Sequence, residues 1–175
     1  MKITLRPILE SDLPIFFAHQ QHQPARHMAA FMPCEDAADR GAFDFHWANL
    51  MRSDLILKRS IEADGQLVGH MISFEMGDDR EITYWIDHHH WGRGIAGEAL
   101  CQFLTIETTR PLFGRAAKDN TASIRLMEHC GFRLIAQERG FANARGEEID
   151  EVVMELGLGA EVDQPIEISA ADELS

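Results

Sequence analysis

The segment WGRGIAG at residues 91–97 constrains the fold of this chain more than any other stretch. It follows the strand-like run REITYWI, and a helical pattern begins inside it. Small residues at positions 92, 94, 96 and 97 leave the main chain bare, so a ligand can reach its N–H groups directly. Because the loop leaves a strand and opens a helix, those N–H groups and the helix dipole point at one spot. The segment predicts an anion site, with a glycine-rich turn that only allows close helix packing as the alternative.

Two familiar nucleotide motifs do not fit this loop. No Gly-Lys-Ser or Gly-Lys-Thr ends it, so it is not a P-loop. Gly92, Gly94 and Gly97 match the bare spacing of a dinucleotide fingerprint, but the strand before them ends a meander rather than opening a βαβ unit. A pyrophosphate is the anion that suits the loop.

The rest of the chain predicts strands and helices in an order typical of an α+β fold. Asp64 and Gly65 stand between two strand-like runs, which predicts a tight hairpin. The predicted strands lie within residues 2–8, 56–63, 66–76, 80–86, 111–117, 132–141 and 148–156. The predicted helices lie within residues 10–21, 36–52, 95–106 and 120–130, and Gly131 closes the last of them.

Composition and charge limit the class of protein. With 175 residues, 45% of them hydrophobic and 26% charged, the chain fits one globular domain. Its net charge of −13 argues against binding to nucleic acid or to an anionic membrane and favours a cationic partner. No apolar run reaches the length of about 18 residues that a membrane span needs. Cys34, Cys101 and Cys130 lack CxxC spacing and the N-terminus lacks an export pattern, so we expect a cytoplasmic protein.

Three motifs together resemble the GNAT superfamily of acetyl-CoA-dependent N-acetyltransferases. The loop WGRGIA is similar to the family signature of Gln or Arg, two residues, Gly, one residue, and Gly or Ala, with Trp91 in the first place. Tryptophan is familiar there in the branch that resembles the ribosomal-protein alanine acetyltransferases. The segment NTASIRLMEHCGF is similar to the family's late helix, and LRPILESDLPIFF is similar to the branch's first strand and helix. The resemblance covers residues 3 to about 156.

This resemblance implies a mixed, mostly antiparallel central sheet of about seven strands flanked by about four helices. We expect the acetyltransferase domain to cover residues 1–159 and the acidic segment 160–175 to be a disordered tail. The resemblance also implies that acetyl-CoA is the co-substrate and that its acetyl group moves to a primary amine by direct attack in a ternary complex. A CoA-binding sensor without turnover is the alternative.

The resemblance assigns the CoA-binding residues by position. The strand end offers main-chain groups to the pantetheine arm, the loop amides hold the pyrophosphate, Asn120 bonds the pantetheine, and Ser123 lies near the thioester sulfur. For Asn120 a plain helix cap is the competing interpretation. The full set is Ile86, Asp87, His88, Trp91, Gly92, Arg93, Gly94, Ile95, Ala96, Gly97, Asn120 and Ser123.

Amine attack requires a neutral nitrogen, so a general base is expected. Glu81 is the first candidate, because it lies on the strand that feeds the loop, where several family members keep a glutamate that acts through water. His70 is the alternative, since the ordinary pKa of histidine near 6.5 suits a base at neutral pH, and Glu75 is the third. Many family members carry a tyrosine as general acid where this chain has Met127. That role is absent here, or it falls to Ser123, to water or to the CoA thiolate.

The histidines at positions 88–90 do not predict a metal site. Ligands on one strand alternate, and ligands on a helix stand at i and i+4. Three adjacent side chains are expected to diverge instead, and His19 and His22 stand alone. We expect these histidines to form a polar rim over the CoA or the acceptor, with no metal.

The acceptor is expected to be a protein N-terminus or a small cationic amine. Phe43, Phe45 and Trp47 lie on a predicted helix that lines the acceptor entrance in this family, with simple core packing as the competing interpretation. A homodimer is compatible with the sequence, although no residue pattern demands one.

Overall fold

The computed structural model describes residues 1–159, and the predicted acidic tail at 160–175 lies outside the described residues. The strands are β1 (Ile3–Arg6), β2 (Leu57–Ala63), β3 (Gln66–Met76), β4 (Asp79–Ile86), β5 (Leu112–Ala117), β6 (Arg133–Ala142) and β7 (Glu147–Leu156). The helices are α1 (Leu13–His19), α2 (Gln23–Ala29), α3 (Arg40–Arg52), α4 (Ile95–Ile106) and α5 (Thr121–His129). Two short 3₁₀ turns, Glu10–Asp12 and His88–His90, precede α1 and the glycine loop.

All seven strands form one sheet in the order β1-β2-β3-β4-β5-β7-β6. Neighbouring strands are antiparallel except β4 and β5, which run parallel. The predicted hairpin joins β2 to β3, where Asp64 (φ 50°) and Gly65 (φ 80°) both adopt the left-handed conformation that a two-residue turn needs. The predicted α+β class and the mostly antiparallel sheet are confirmed.

The parallel pair of β4 and β5 is the irregular point of the sheet. It consists of Arg80 with Leu112, Glu81 with Phe113, and Ile82 with Gly114. Both strands continue beyond these pairs, β4 to Ile86 and β5 to Ala117. The two strands therefore part, and the edge of β4 over residues 83–86 has no ladder partner on the side of β5. Buried backbone N–H and C=O groups need partners, so this edge is suited to receive an extended ligand.

The structure has five α-helices in its described residues, one more than the sequence analysis expects. The additional helix is α2, which Pro24 helps to start and which His22 caps by accepting a hydrogen bond from the Ala25 N–H. It was missed because histidine is an unusual cap and because a helix of only about two turns carries little periodic signal.

Two apolar clusters hold the helices against opposite faces of the sheet. Leu100 and Phe103 of α4 are fully buried in the larger cluster, together with Met127 of α5. Phe43 and Trp47 of α3 are buried in the smaller cluster, where each buried large side chain contributes about 1.5–3 kcal/mol of stabilisation. Among the described residues, no helix combines the length and the apolar character that crossing a membrane requires.

Candidate active site

A cavity of about 770 Å³ lies where β4 and β5 part. The glycine loop, the diverging strand ends, the start of α5 and the buried side of α3 all contribute to its lining. Of the predicted cofactor residues, Ile86, residues 91–97, Asn120 and Ser123 line the cavity, whereas Asp87 and His88 do not. The structure thus brings most of the predicted residues to one place.

The glycine loop has the backbone geometry of an anion site. Gly92 and Gly94 both have φ of 71°, a left-handed conformation that disfavours other residues, and Gly94 is the N-cap of α4. Ile95 is 2% exposed and anchors the helix in the core directly after the loop. Among the described residues, a Cβ atom added at Gly97 would meet nothing within 4 Å beyond its chain neighbours and its own helix backbone, so the space beside this residue is open. The first N–H groups of α4 therefore face an unobstructed surface.

Trp91 ties the loop to the end of β4. Its indole Nε1 donates a hydrogen bond of 2.9 Å to the carbonyl oxygen of Ile86. The main chain of Ile86 is predicted to contact the pantetheine arm. One of the two lone pairs of its carbonyl oxygen is already occupied by the hydrogen bond from Trp91. The tryptophan in the place of Gln or Arg fixes the loop relative to the strand.

The start of α5 places Asn120 and Ser123 at the cavity. Asn120 caps the helix, because its Oδ1 accepts from the Ser123 N–H at 3.2 Å, and its Nδ2 donates to the Met28 carbonyl at 3.3 Å. The Ser123 hydroxyl lies 2.5 Å from the hydroxyl of Tyr84 on β4. Burial raises the pKa of Tyr84 to about 12, although the hydrogen bond with Ser123 acts in the opposite direction. Tyr84 is not among the predicted site residues, yet it is the only tyrosine of the chain, which is the signal that could have identified it.

Met127 fills the position where many family members have a tyrosine. It is 1% exposed, and a Cβ at Gly114 would lie 2.5 Å from its sulfur, so the missing side chain of Gly114 makes room for it. A buried thioether has no proton to give. The hydroxyl groups that line this part of the cavity therefore come from β4 and the start of α5.

Glu81 lies in an acidic group around one arginine. Arg115 on β5 donates to Glu81 at 2.9 Å and to Glu138 at 2.6 Å, and it lies 3.4 Å from Glu151. Glu81 and Glu151 line the cavity beside Arg115, and Glu138 contacts the same guanidinium from outside the lining, so negative charge exceeds positive charge around Arg115. Burial raises the pKa of Glu151 above its ordinary value, and Arg115 offsets only part of that effect. Glu151 was missed because only the register of β5 and β7 brings it beside Arg115.

His70 lines the cavity but is poorly suited to act as a base. Its ring packs against Phe16 with centroids 4.6 Å apart and against Trp47 at 5.0 Å. Burial lowers the pKa of His70 to about 3, so the ring stays neutral at physiological pH and is a weak proton acceptor. Glu75 is exposed and does not line the cavity. Phe43 and Trp47 line it as well as packing in the core, whereas Phe45 is 70% exposed.

The three histidines before the loop do not diverge as expected. They form a 3₁₀ turn, and all three rings approach the carboxylate of Asp87. His88 Nδ1 lies 3.1 Å from Oδ1, and His89 Nδ1 lies 3.3 Å from Oδ2. The expectation fails because Asp87 is the N-cap of this turn, and its carboxylate lies within about 4 Å of a nitrogen of each ring that follows it.

Comparison with known proteins agrees with this architecture. The family described as "Acetyltransferase (GNAT) domain" matches residues 2–133. An uncharacterized N-acetyltransferase, p20 of Bacillus licheniformis, is 30% identical over 110 residues, which span 60% of this chain and 61% of the relative. A ribosomal-protein-alanine N-acetyltransferase from Brucella melitensis has a similar structure, with a TM-score of 0.73, 22% identity and coverage of 89% of this chain and 99% of that one. A spermidine N-acetyltransferase from Vibrio cholerae, solved with CoA and spermine, has a TM-score of 0.70, 19% identity and coverage of 87% and 95%.

The fold, with its parted strands beside a glycine loop, has the architecture of the acetyltransferase structures named above. More specifically, the chain belongs to the GNAT family of acetyltransferases, since the family match covers residues 2–133.

Proposed function

We propose that this protein transfers the acetyl group of acetyl-CoA to a cationic primary amine by direct attack. The observation that carries the proposal is the parted edge between β4 and β5, which lines the same cavity as the glycine loop and an acidic wall. One cavity thus offers main-chain groups for an extended arm, amides for a diphosphate and carboxylates for a cation.

In this proposal the main-chain N–H groups of residues 92–97 bind the pyrophosphate of CoA. Each charge-assisted hydrogen bond contributes about 1.5–3 kcal/mol, and the exposed Arg93 adds positive charge beside them. The pantetheine arm lies along the unpaired edge of β4. Asn120 keeps its role as a helix cap and uses its second Nδ2 proton for the pantetheine.

The acidic wall is the proposed site for the acceptor. Glu81 and Glu151 of the cavity lining outnumber Arg115 as charges, so an ammonium group gains more there than a neutral group does. Phe43 and Trp47 provide an apolar surface in the same cavity. The acceptor is then a cationic amine with an apolar portion, a class that includes protein N-termini and small polyamines.

Glu81 is the proposed general base, acting through a water molecule. Its Oε1 accepts from Arg115 at 2.9 Å, and no described residue donates to its second oxygen. A base matters most for strongly basic amines. A lysine-like amine with a pKa near 10.4 is neutral in about 1 molecule of 2,500 at pH 7, a cost of roughly 4.6 kcal/mol, whereas an α-amino group costs only about 1 kcal/mol.

Tyr84 and Ser123 are proposed to stabilise the departing thiolate by hydrogen bonding rather than by full proton transfer. The pKa of Tyr84 is about 12. An ordinary thiol has a pKa of about 8.5, so moving the tyrosine proton to the thiolate is uphill by roughly 5 kcal/mol. The Ser123 hydroxyl, held by Tyr84, donates to the sulfur, and water supplies the proton later.

An acceptor screen that follows thiol release tests the reaction. Candidate amines of high and low pKa are mixed with acetyl-CoA, and Glu81→Gln is compared with the wild type. We expect the variant to lose about 100-fold or more in kcat/KM, with a larger loss for the more basic amines. Glu75→Gln, an exposed carboxylate outside the cavity, is the matched control and should behave as the wild type.

Two outcomes would overturn parts of this proposal. Equal rates in Glu81→Gln and the wild type would remove Glu81 as the base. CoA binding without thiol release for any amine would instead favour a sensor without turnover, the reading that Met127 in the tyrosine position supports. A cytoplasmic location and a homodimer stay predictions from the sequence.

A further inference from the structure

A second group of polar side chains lies beside the cavity, around the carboxylate of Asp87. Besides the three histidines of the 3₁₀ turn, His19 at the end of α1 brings its Nε2 to 4.0 Å from Asp87 Oδ2. Four imidazoles therefore surround one carboxylate that is only 9% exposed. Acetyl transfer as proposed above uses none of these side chains.

We propose that Asp87, His88 and His89 bind a divalent transition-metal ion. One carboxylate oxygen and one ring nitrogen from each of the two histidines all lie within 4.8 Å of one another. Ligand atoms at bond lengths of about 2.1 Å in a tetrahedral zinc site are about 3.4 Å apart. From Asp87 Oδ1, the distances of 3.1 Å to His88 Nδ1 and 3.4 Å to His89 Nδ1 are close to that value.

His89 Nδ1 has the geometry of a hydrogen bond to Asp87, whereas the contact of His88 favours an ion over simple hydrogen bonding. His88 Nδ1 is buried and 3.1 Å from the carboxylate, yet the contact lacks the geometry of a hydrogen bond. His19 and His90 turn their Nε2 atoms towards the same carboxylate, each at 4.0 Å. Buried polar atoms without partners are rare in folded proteins, so the unpaired His88 Nδ1 beside the carboxylate indicates a ligand there.

His22 holds the ring of His88 in place. The two rings stack with centroids 3.5 Å apart and an angle of 3° between their planes, while His22 Nδ1 is fixed as the cap of α2. Two neutral imidazoles and a carboxylate suit zinc, cobalt, nickel or copper, whereas magnesium and calcium prefer oxygen ligands alone.

The ion would stabilise the fold rather than take part in the reaction. Asp87 is six residues along the chain from Glu81, which corresponds to about 20 Å in an extended strand. Bound by Asp87, His88 and His89, the ion would fix the turn that leads into the glycine loop. The expected consequence is a metal-dependent gain in thermal stability.

Cobalt binding to untagged, chelator-treated protein tests the proposal. We expect one Co²⁺ per chain, visible as ligand-field absorption, together with a higher Tm; Mg²⁺ should give neither. His89 has a side chain that is 73% exposed, so His89→Ala should fold normally. We expect it to weaken cobalt binding by at least about tenfold, since even outer-sphere changes cost 10–100-fold. His129→Ala, an exposed histidine at the end of α5, is the matched control and should bind as the wild type does.

Three results would overturn the metal site. The first is the absence of cobalt binding to the wild type. The second is equal cobalt affinity in the wild type and in His89→Ala. The third is the strong ultraviolet absorption of a thiolate ligand, which would assign the ion to a cysteine. None of these results bears on CoA binding or acetyl transfer, so the two proposals fail independently.

Discussion

Replacing Gly97 by alanine tests whether the glycine loop binds an anion or only allows α4 to pack closely. Apart from its chain neighbours and the backbone of its own helix, the new methyl group would meet no atom of residues 1–159 within 4 Å, and the helical backbone at this position tolerates a side chain. Alanine in place of glycine stabilises a helix by up to about 1 kcal/mol. If the loop only allowed the helix to pack closely, the variant would be at least as stable as the wild type and would bind CoA equally well.

The anion-site proposal predicts a different result for CoA affinity. A methyl group beside the first turn of α4 would displace a pyrophosphate oxygen from one main-chain N–H. Losing one charge-assisted hydrogen bond costs about 1.5–3 kcal/mol, which corresponds to about 10- to 150-fold in Kd. Calorimetric titration with CoA measures this change, and thermal unfolding shows that the fold is intact.

Gly41→Ala is the matched control for this experiment. Gly41 also lies in the first turn of a helix, α3, and a Cβ there would meet only Asp39 Oδ1 at 3.4 Å. It is not part of the cavity lining. We expect this variant to keep full CoA affinity. If Gly97→Ala bound CoA as tightly as Gly41→Ala does, the pyrophosphate would not lie against α4, and the reasoning from the bare main chain would be refuted.

Two further predictions concern catalysis and acid stability. Tyr84→Phe removes the partner of the Ser123 hydroxyl, and we expect kcat to fall by roughly tenfold, the equivalent of one hydrogen bond, with CoA affinity unchanged; an unaltered kcat in steady-state assays would show that the hydroxyl pair has no role. Asp12 is 4% exposed; burial pushes its pKa up, but hydrogen bonds from Arg6, the Leu9 N–H and Ser60 outweigh this and leave the pKa below its ordinary value. Its contribution to stability is therefore complete above about pH 4 and is lost as the pH falls through the pKa of the folded state. Because Arg6 keeps Glu62 as a second partner, Asp12→Asn should lower the free energy of unfolding by only about 1.5–3 kcal/mol at pH 7. Urea unfolding should show this difference shrinking in acid; a constant difference down to pH 2 would contradict the assignment.

Local sequence patterns were sufficient for most of the fold. Several turns have residue types that suit a left-handed backbone, which made them predictable from sequence. These residues are Asp64, Gly65, Gly92, Gly94 and Gly131. The position of the glycine loop between β4 and α4 was also predictable, because a strand-like run precedes it and a helical pattern begins inside it. Helix α2 escaped notice because its start depends on a histidine cap that no common pattern describes.

The chemistry of the site was less accessible to sequence reasoning. Glu151 faces Arg115 only because β7 pairs with β5, and Tyr84 meets Ser123 only because α5 packs on the parted strands. Histidine is a common general base, but burial between aromatic rings lowers the pKa of His70 to about 3 and makes it a weak base. These contacts join residues far apart in the chain, so they follow from topology rather than from spacing.

The short pairing of β4 with β5 has a consequence for how the molecule holds together. Three residue pairs join strands β1 to β4 with strands β5 to β7, and elsewhere the two halves meet mainly through side chains of the apolar core. A pantetheine arm seated along the bare edge would complete the hydrogen-bonded network from one half to the other. Amide hydrogen exchange at residues 83–86 should then slow on adding the coenzyme, because the small molecule becomes, in effect, an eighth strand.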